Sequence, residues 1–152
     1  MPVQIDYSHG HDLPASVAQQ CIQLCNKDSE SRKFFTRLAD GDGATDEDLD
    51  VIVTYATIRD SISWDNMTVI GWATASTWNG RIQLQTFVDQ EHREKGIGFS
   101  LIACLTFDMP KVEVPVAVFS DACLRIADRL GLNAEQWERK DNEWCLSPKT
   151  QG

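Results

Sequence analysis

Between Leu49 and Asp89 the chain repeats with a period of two in three successive runs, "DLDVIVTYATIRD", "MTVIGWATASTW" and "RIQLQTFVD". That is the spacing of strands with alternating faces, and the runs are rich in the β-branched and aromatic residues that strands favour. "SISWDN" separates the first two, and Asn79-Gly80 joins the second to the third. Asn-Gly accepts the positive φ angles of a two-residue hairpin, so the segment predicts an antiparallel meander of three strands.

Helical patterns flank the meander. "ASVAQQCIQLC" places Val17, Cys21, Leu24 and Cys25 on one stripe after Pro14, with Asp12 as the expected N-cap. "SRKFFTRLA" groups Phe34, Phe35 and Leu38 and stops at the glycines of "DGDG". After the meander, "FSLIACLTF" reads as a buried helix ended by Pro110. "VPVAVFS" reads as a strand, and "DACLRIADRLGL" as an amphipathic helix with Asp121 as a capping acid and Gly131 as its C-cap. Val3 to Tyr7 is a short first strand, and "AEQWERKDNEWCL" a last hairpin turning at Asp141-Asn142. No linker or repeat interrupts the 152 residues, the size of one domain, so residues 1–152 are expected to form a single α+β domain.

The net charge of −9 opposes binding to nucleic acid or an anionic membrane, and favours a cationic or amine-bearing partner. The five cysteines are odd in number and form no C-x-x-C pair, so they read as reduced thiols of a cytoplasmic protein. No secretory signal and no apolar run near ~20 residues is present. Asp40 to Asp50 holds six acids, yet it fails as a calcium loop. Ala44 and Thr45 occupy its fifth and sixth positions and Val51 its twelfth, so a solvated acidic loop is expected and no metal site.

The chemistry concentrates in "EHREKGIGFSL", Glu91 to Leu101. Lys95 precedes the glycines, which excludes a Walker loop. Leu101 stands where a dinucleotide fingerprint has its third glycine, and an antiparallel strand leads in. What remains is a strand end, a run of amides and a helix start near Gly98. Such an end binds a phosphate or pyrophosphate, and glycines let it come close.

This segment resembles motif A of the GNAT superfamily, the acyl-CoA-dependent N-acetyltransferases. The pattern Gln/Arg-x-x-Gly-x-Gly/Ala is met by Arg93, Gly96 and Gly98. "SDACLRIADRLGL" is similar to the family's Asn-x-x-Ala-x-x-Leu-Tyr-x-Lys-Leu-Gly-Phe segment, with Ser120, Cys123, Ile126, Arg129 and Gly131-Leu132 at matching positions. The element order matches as well. The resemblance implies a GNAT-like α+β fold, a central mixed, mostly antiparallel twisted sheet of six to seven strands flanked by about four helices.

It also implies acetyl-CoA or CoA as cosubstrate and direct transfer of the acyl group to a primary amine, on a small molecule or peptide, in a ternary complex. The pantetheine arm is expected on backbone around Phe87 and Val88, with the Val88 amide as oxyanion donor. The pyrophosphate is expected on amides from Arg93 to Phe99. Within that stretch Gly96 and Gly98 allow approach, Glu94 and Ile97 give backbone only, and Arg93 and Lys95 either reach phosphates or stay solvated. Cys123 falls at a cofactor-contacting position. Two departures matter. Ala127 replaces the usual proton-donating tyrosine, and Gln83, Gln85 and Thr86 bring no carboxylate base, leaving Ser120 or Asp121 as stand-in proton donors. A catalytically weak acyl-CoA sensor or structural module is therefore the alternative. His92 is expected to pack a ring, His9 and His11 to bind no metal, and Trp64, Trp72 and Trp78 to pack, with one of them a candidate wall of the acceptor pocket. The acceptor and the oligomeric state stay open, a homodimer included.

Overall fold

A computed structural model describes residues 3–25, 29–41, 43–59, 67–107 and 114–148; Trp64 and Pro110 lie outside them. Seven strands form one sheet in chain order: β1 (Gln4–His9), β2 (Ile52–Arg59), β3 (Met67–Trp78), β4 (Arg81–Val88), β5 (Val116–Val118), β6 (Ala134–Lys140) and β7 (Glu143–Leu146). β1 to β4 run antiparallel, β5 is parallel to β4 and to β6, and β7 returns antiparallel to β6. The expected hairpins close on positive-φ pairs, Asn79-Gly80 and Asp141-Asn142.

Helices α1 (Ala15–Gln23) and α2 (Glu30–Asp40) cover one face of the sheet, where Val17, Cys21 and Phe35 pack on Val53, Val69 and Trp72. On the other face α4 (Ile97–Thr106) and α5 (Asp121–Arg129) bury Leu101, Ile102, Leu105, Cys123 and Ala127 against Ile70, Ala73 and Leu84. α5 ends as expected at Gly131. Its φ is +75°, and the Gly131 and Leu132 amides return to Asp128 and Ala127.

Two expectations change. Asp12 does not cap α1; it pairs with His11 at 3.1 Å, and Pro14 holds the N-cap position. The acidic run is not wholly a solvated loop. Asp46–Asp50 forms α3, giving five α-helices among the described residues, because Thr45 and Asp48 make a reciprocal capping box. Asp48 is buried and receives Arg37 at 2.6 and 2.8 Å, which holds its carboxyl below the usual range.

Two devices shape the sheet near its middle. Between Ala56 and Thr57 the pairing with β3 slips by one, leaving Ile70 as an extra residue whose carbonyl accepts from Asp89. Gly71 follows. A Cβ there would lie 3.0 Å from the Phe87 carbonyl and 3.3 Å from Leu101, so glycine lets α4 lie close on the sheet. Beyond Gly71, β4 has turned away. The Gln20 side chain of α1 continues the ladder in its place, accepting from Val69 and donating to Met67.

Candidate functional site

β4 and β5 pair only at Ile82–Val116 and Gln83–Ala117, then part. Peptide groups alternate sides along a strand. Ile82 donates toward β5, to Pro115, and Asp89 toward β3, to Ile70, so the even-numbered Thr86 and Val88 turn their peptide groups into the gap. Phe87 turns its own toward β3 and brings its ring instead. The cleft, about 200 Å³, is lined by Leu24, Cys25, Ser29 and Ser31 on one side and Phe119, Ser120 and Cys123 on the other. Trp72 and Leu84 to Phe87 form its floor.

The glycine loop follows the end of β4, just past this cleft, and none of its residues is in the cleft lining. Glu94 and Gly96 take left-handed φ, +66° and +77°, turning the chain into α4 with Gly96 as N-cap. A glycine cap has no side chain to accept a hydrogen bond, so the amides of Ile97, Gly98 and Phe99 have no acceptor within the helix. Gly98 has no conformational need to be glycine. A Cβ there would make only ordinary contacts, 3.7 Å to Ile126 and 3.8 Å to Val88. Glycine in a helix is about 1 kcal/mol worse than alanine, so neither packing nor helix propensity accounts for a glycine here.

Arg93 is exposed but partly tied down. Its Nε donates to the Val88 carbonyl at 2.8 Å and its guanidinium lies 5.1 Å from the Phe87 ring, pinning the end of β4. Lys95 is exposed. Arg129, paired with this loop by no sequence reading, stacks on Phe99 at 4.6 Å and adds a cation beside the α4 start. His92 lies with Nδ1 3.4 Å from Asp89, short of hydrogen-bond geometry. A larger cavity of about 330 Å³ lies behind the same helix end, on the β1–β2 side. Its walls are the glycine loop and the β1–β2 edge, away from the parting of β4 and β5, so the cleft is taken as the site.

The α5 start is closed. Ser120 lines the cleft and its Oγ accepts from the Cys123 amide at 3.1 Å, so Ser120, not Asp121, is the cap. Asp121 lies outside the lining and receives Gln136 at 2.8 Å. Burial pushes the Cys123 thiol up to about 12 and the Cys25 thiol to about 11, so both stay neutral. Ala127 is fully buried and offers no hydroxyl. Among the described residues the lining carries no carboxylate and no imidazole, and no cluster fit for a metal occurs. Trp72 does wall the cleft, while Trp78 packs among Phe119, Trp137 and Trp144.

No family profile and no curated protein sequence matches the chain. Solved structures do. A GNAT superfamily phosphinothricin acetyltransferase from Sinorhizobium meliloti, in complex with acetyl-CoA, is 15% identical with a TM-score of 0.56, covering 96% of this chain and 85% of that one. Aminoglycoside N-acetyltransferase AAC(6')-Iy, in complex with CoA, is 16% identical with a TM-score of 0.52, covering 87% of this chain and 90% of that one. The chain has the GNAT fold. No helix among the described residues is long and apolar enough to cross a membrane.

Proposed function

We propose that this chain is an acyl-CoA-dependent N-acyltransferase that moves an acetyl group from acetyl-CoA to a primary amine by direct attack in a ternary complex. The observation that carries it is a coincidence of two openings. The unpaired peptide group of Thr86 and the Val88 N–H, whose own carbonyl is taken by Arg93, lie toward one end of the β4–β5 gap, and the glycine start of α4 follows just beyond.

The residues fit such a cosubstrate. The α4 amides from Ile97 to Phe99, reached through Arg93–Gly96, would hold the pyrophosphate with the helix dipole behind them. The gap-facing groups of Thr86 would pair with the amide-bearing arm, and the Val88 N–H would meet the developing oxyanion. Phe87 and Cys123 give apolar wall beside it.

No described lining residue would deprotonate the amine, so it reacts through its neutral fraction. An alkylamine, with pKa about 10.4, would then gain rate roughly tenfold per pH unit through neutral pH. Ser31 and Thr86 spend their hydroxyl protons on Gln85 and the Trp72 carbonyl. Ser120 only accepts in its cap bond, so its proton is left to meet the departing thiolate or an ordered water. Asp121, bound to Gln136, is not assigned that role.

Saturating acetyl-CoA should stabilise the protein against heat, by about 2.7 kcal/mol at a hundredfold excess over Kd. No shift would refute the reading. Thiol release with an amine panel then tests turnover. The absence of a described acid or base in the lining favours one second reading, an acyl-CoA-binding sensor module. That module would show the thermal shift and stay silent with every amine.

A further inference from the structure

On the side of the cleft between α1–α2 and β3–β4 one lining donor has no hydrogen-bond partner among the described residues, and a cation stands one residue from the lining. Trp72 is 3% exposed and lines the cleft, and its indole N–H is buried without a hydrogen-bond partner. That N–H leans on the Cys25 sulfur without reaching hydrogen-bond geometry, and an indole nitrogen can only donate. Arg32 is the cation. It sits in the first turn of α2 beside the cleft-lining Ser31, with its main-chain N–H on the Ser29 hydroxyl at 3.1 Å.

Arg32 is half-buried, and no carboxylate among the described residues pairs with its guanidinium. Glu30, two positions back, is taken by Lys33 at 3.2 Å. The Arg32 charge still reaches the Cys25 thiol in the cleft wall. An unmet buried donor and a half-buried unpaired guanidinium are both costly, and one kind of ligand group relieves both, an oxygen anion.

We propose that the acceptor carries a carboxylate beside its amine, as an amino acid does, and that Arg32 and the Trp72 N–H hold that carboxylate while the amine faces β4. This rests on the acyltransferase reading and narrows its substrate. The chain's charge of −9 suggests the opposite, a plain cation. Yet salt screens charges beyond about 8–10 Å, so a group inside the cleft responds to the local cation. In the transfer, the neutral amine nitrogen forms a bond to the thioester carbonyl carbon and the C–S bond breaks. The electron pair goes to sulfur, and the proton shed by nitrogen ends on the thiol, giving an N-acyl amino acid and free CoA.

The test measures thiol release from acetyl-CoA with the twenty standard L-amino acids, each beside its primary amide, after the acetyl-CoA thermal shift is confirmed. At least one acid should exceed its amide in kcat/KM by about 10- to 100-fold. Arg32→Gln should collapse that preference through KM, and Arg32→Lys should restore part of it. Amides matching their acids, silence of the acids while other amines turn over, or an undiminished preference in Arg32→Gln would overturn this inference alone, and silence of every amine would overturn the acyltransferase reading with it. A missing acetyl-CoA shift would overturn the acyltransferase reading and this inference with it.

Discussion

Two helices begin near the end of β4 and begin in opposite ways. α4 starts at Gly96, in left-handed backbone, and leaves its first amides without an intrahelical acceptor. α5 starts at Ser120, whose hydroxyl takes the Cys123 amide at 3.1 Å. Both carry the same helix dipole. The difference is that α5 satisfies part of its own end, whereas α4 leaves its first amides unanswered, and those are the donors proposed for the cosubstrate's phosphates. A helix end becomes a binding site through what the chain withholds from it.

The largest expected effect tests the open end. Gly98→Glu places a carboxylate where the phosphates are proposed to sit. It should abolish acetyl-CoA stabilisation, from about 2.7 kcal/mol at a hundredfold excess to near zero, with the unliganded melting curve retained. Gly98→Ala is the sharper probe. Its methyl fits at 3.7–3.8 Å from Ile126 and Val88, so the free protein should be as stable or gain up to about 1 kcal/mol, while acetyl-CoA affinity drops. Unchanged affinity in both variants would remove the loop from the site.

The closed kind of helix end goes further at α3, where Thr45 and Asp48 cap each other and Arg37 grips the same carboxylate. Asp48→Asn should lose about 1–2 kcal/mol in denaturant unfolding, Arg37 being partly exposed, and should leave the acetyl-CoA shift in place. The pH dependence has a definite sign. The folded pKa of Asp48 lies below its unfolded value, so its contribution is complete above the ordinary carboxylate range, about 4, and fades as pH falls through the folded value. The gap between wild type and Asp48→Asn should therefore narrow in acid. A constant gap down to pH 2 would break this account.

How much of this was legible follows from sequence distance. Asn79-Gly80, Asp141-Asn142, Gly41 and Gly131 act through local backbone, and each appears where its turn or cap chemistry requires. The Arg93–Gly98 loop is contiguous, so its geometry could be read from its own residues. Asp12 and the acidic run misled because a capping residue type says nothing of which neighbour wins: Pro14 begins α1, and Asp48 turns inward to Arg37 eleven positions back. The cleft walls were hidden for the same reason. Gln85 meets Ser31, and Arg129 meets Phe99, only after the sheet and helices bring them together. Trp72 was readable as a strand aromatic, but its unmet N–H is a property of packing.

The smallest expected effect separates the two roles of Ser120. Ser120→Ala removes the α5 cap and should lower stability by about 1 kcal/mol. If the hydroxyl also supplies the proton to the leaving thiolate, kcat should fall by about tenfold at pH 7. That is a modest loss for general acid catalysis, because a thiolate of pKa about 8.5 also departs into water. Ser120→Asp distinguishes cap from donor. Aspartate caps a helix about as well as serine but carries no proton at neutral pH. Stability should return in this variant and kcat should not. If kcat recovers along with stability, or never fell in Ser120→Ala, Ser120 is a cap alone and α5 is closed to the chemistry as well as to the ligand.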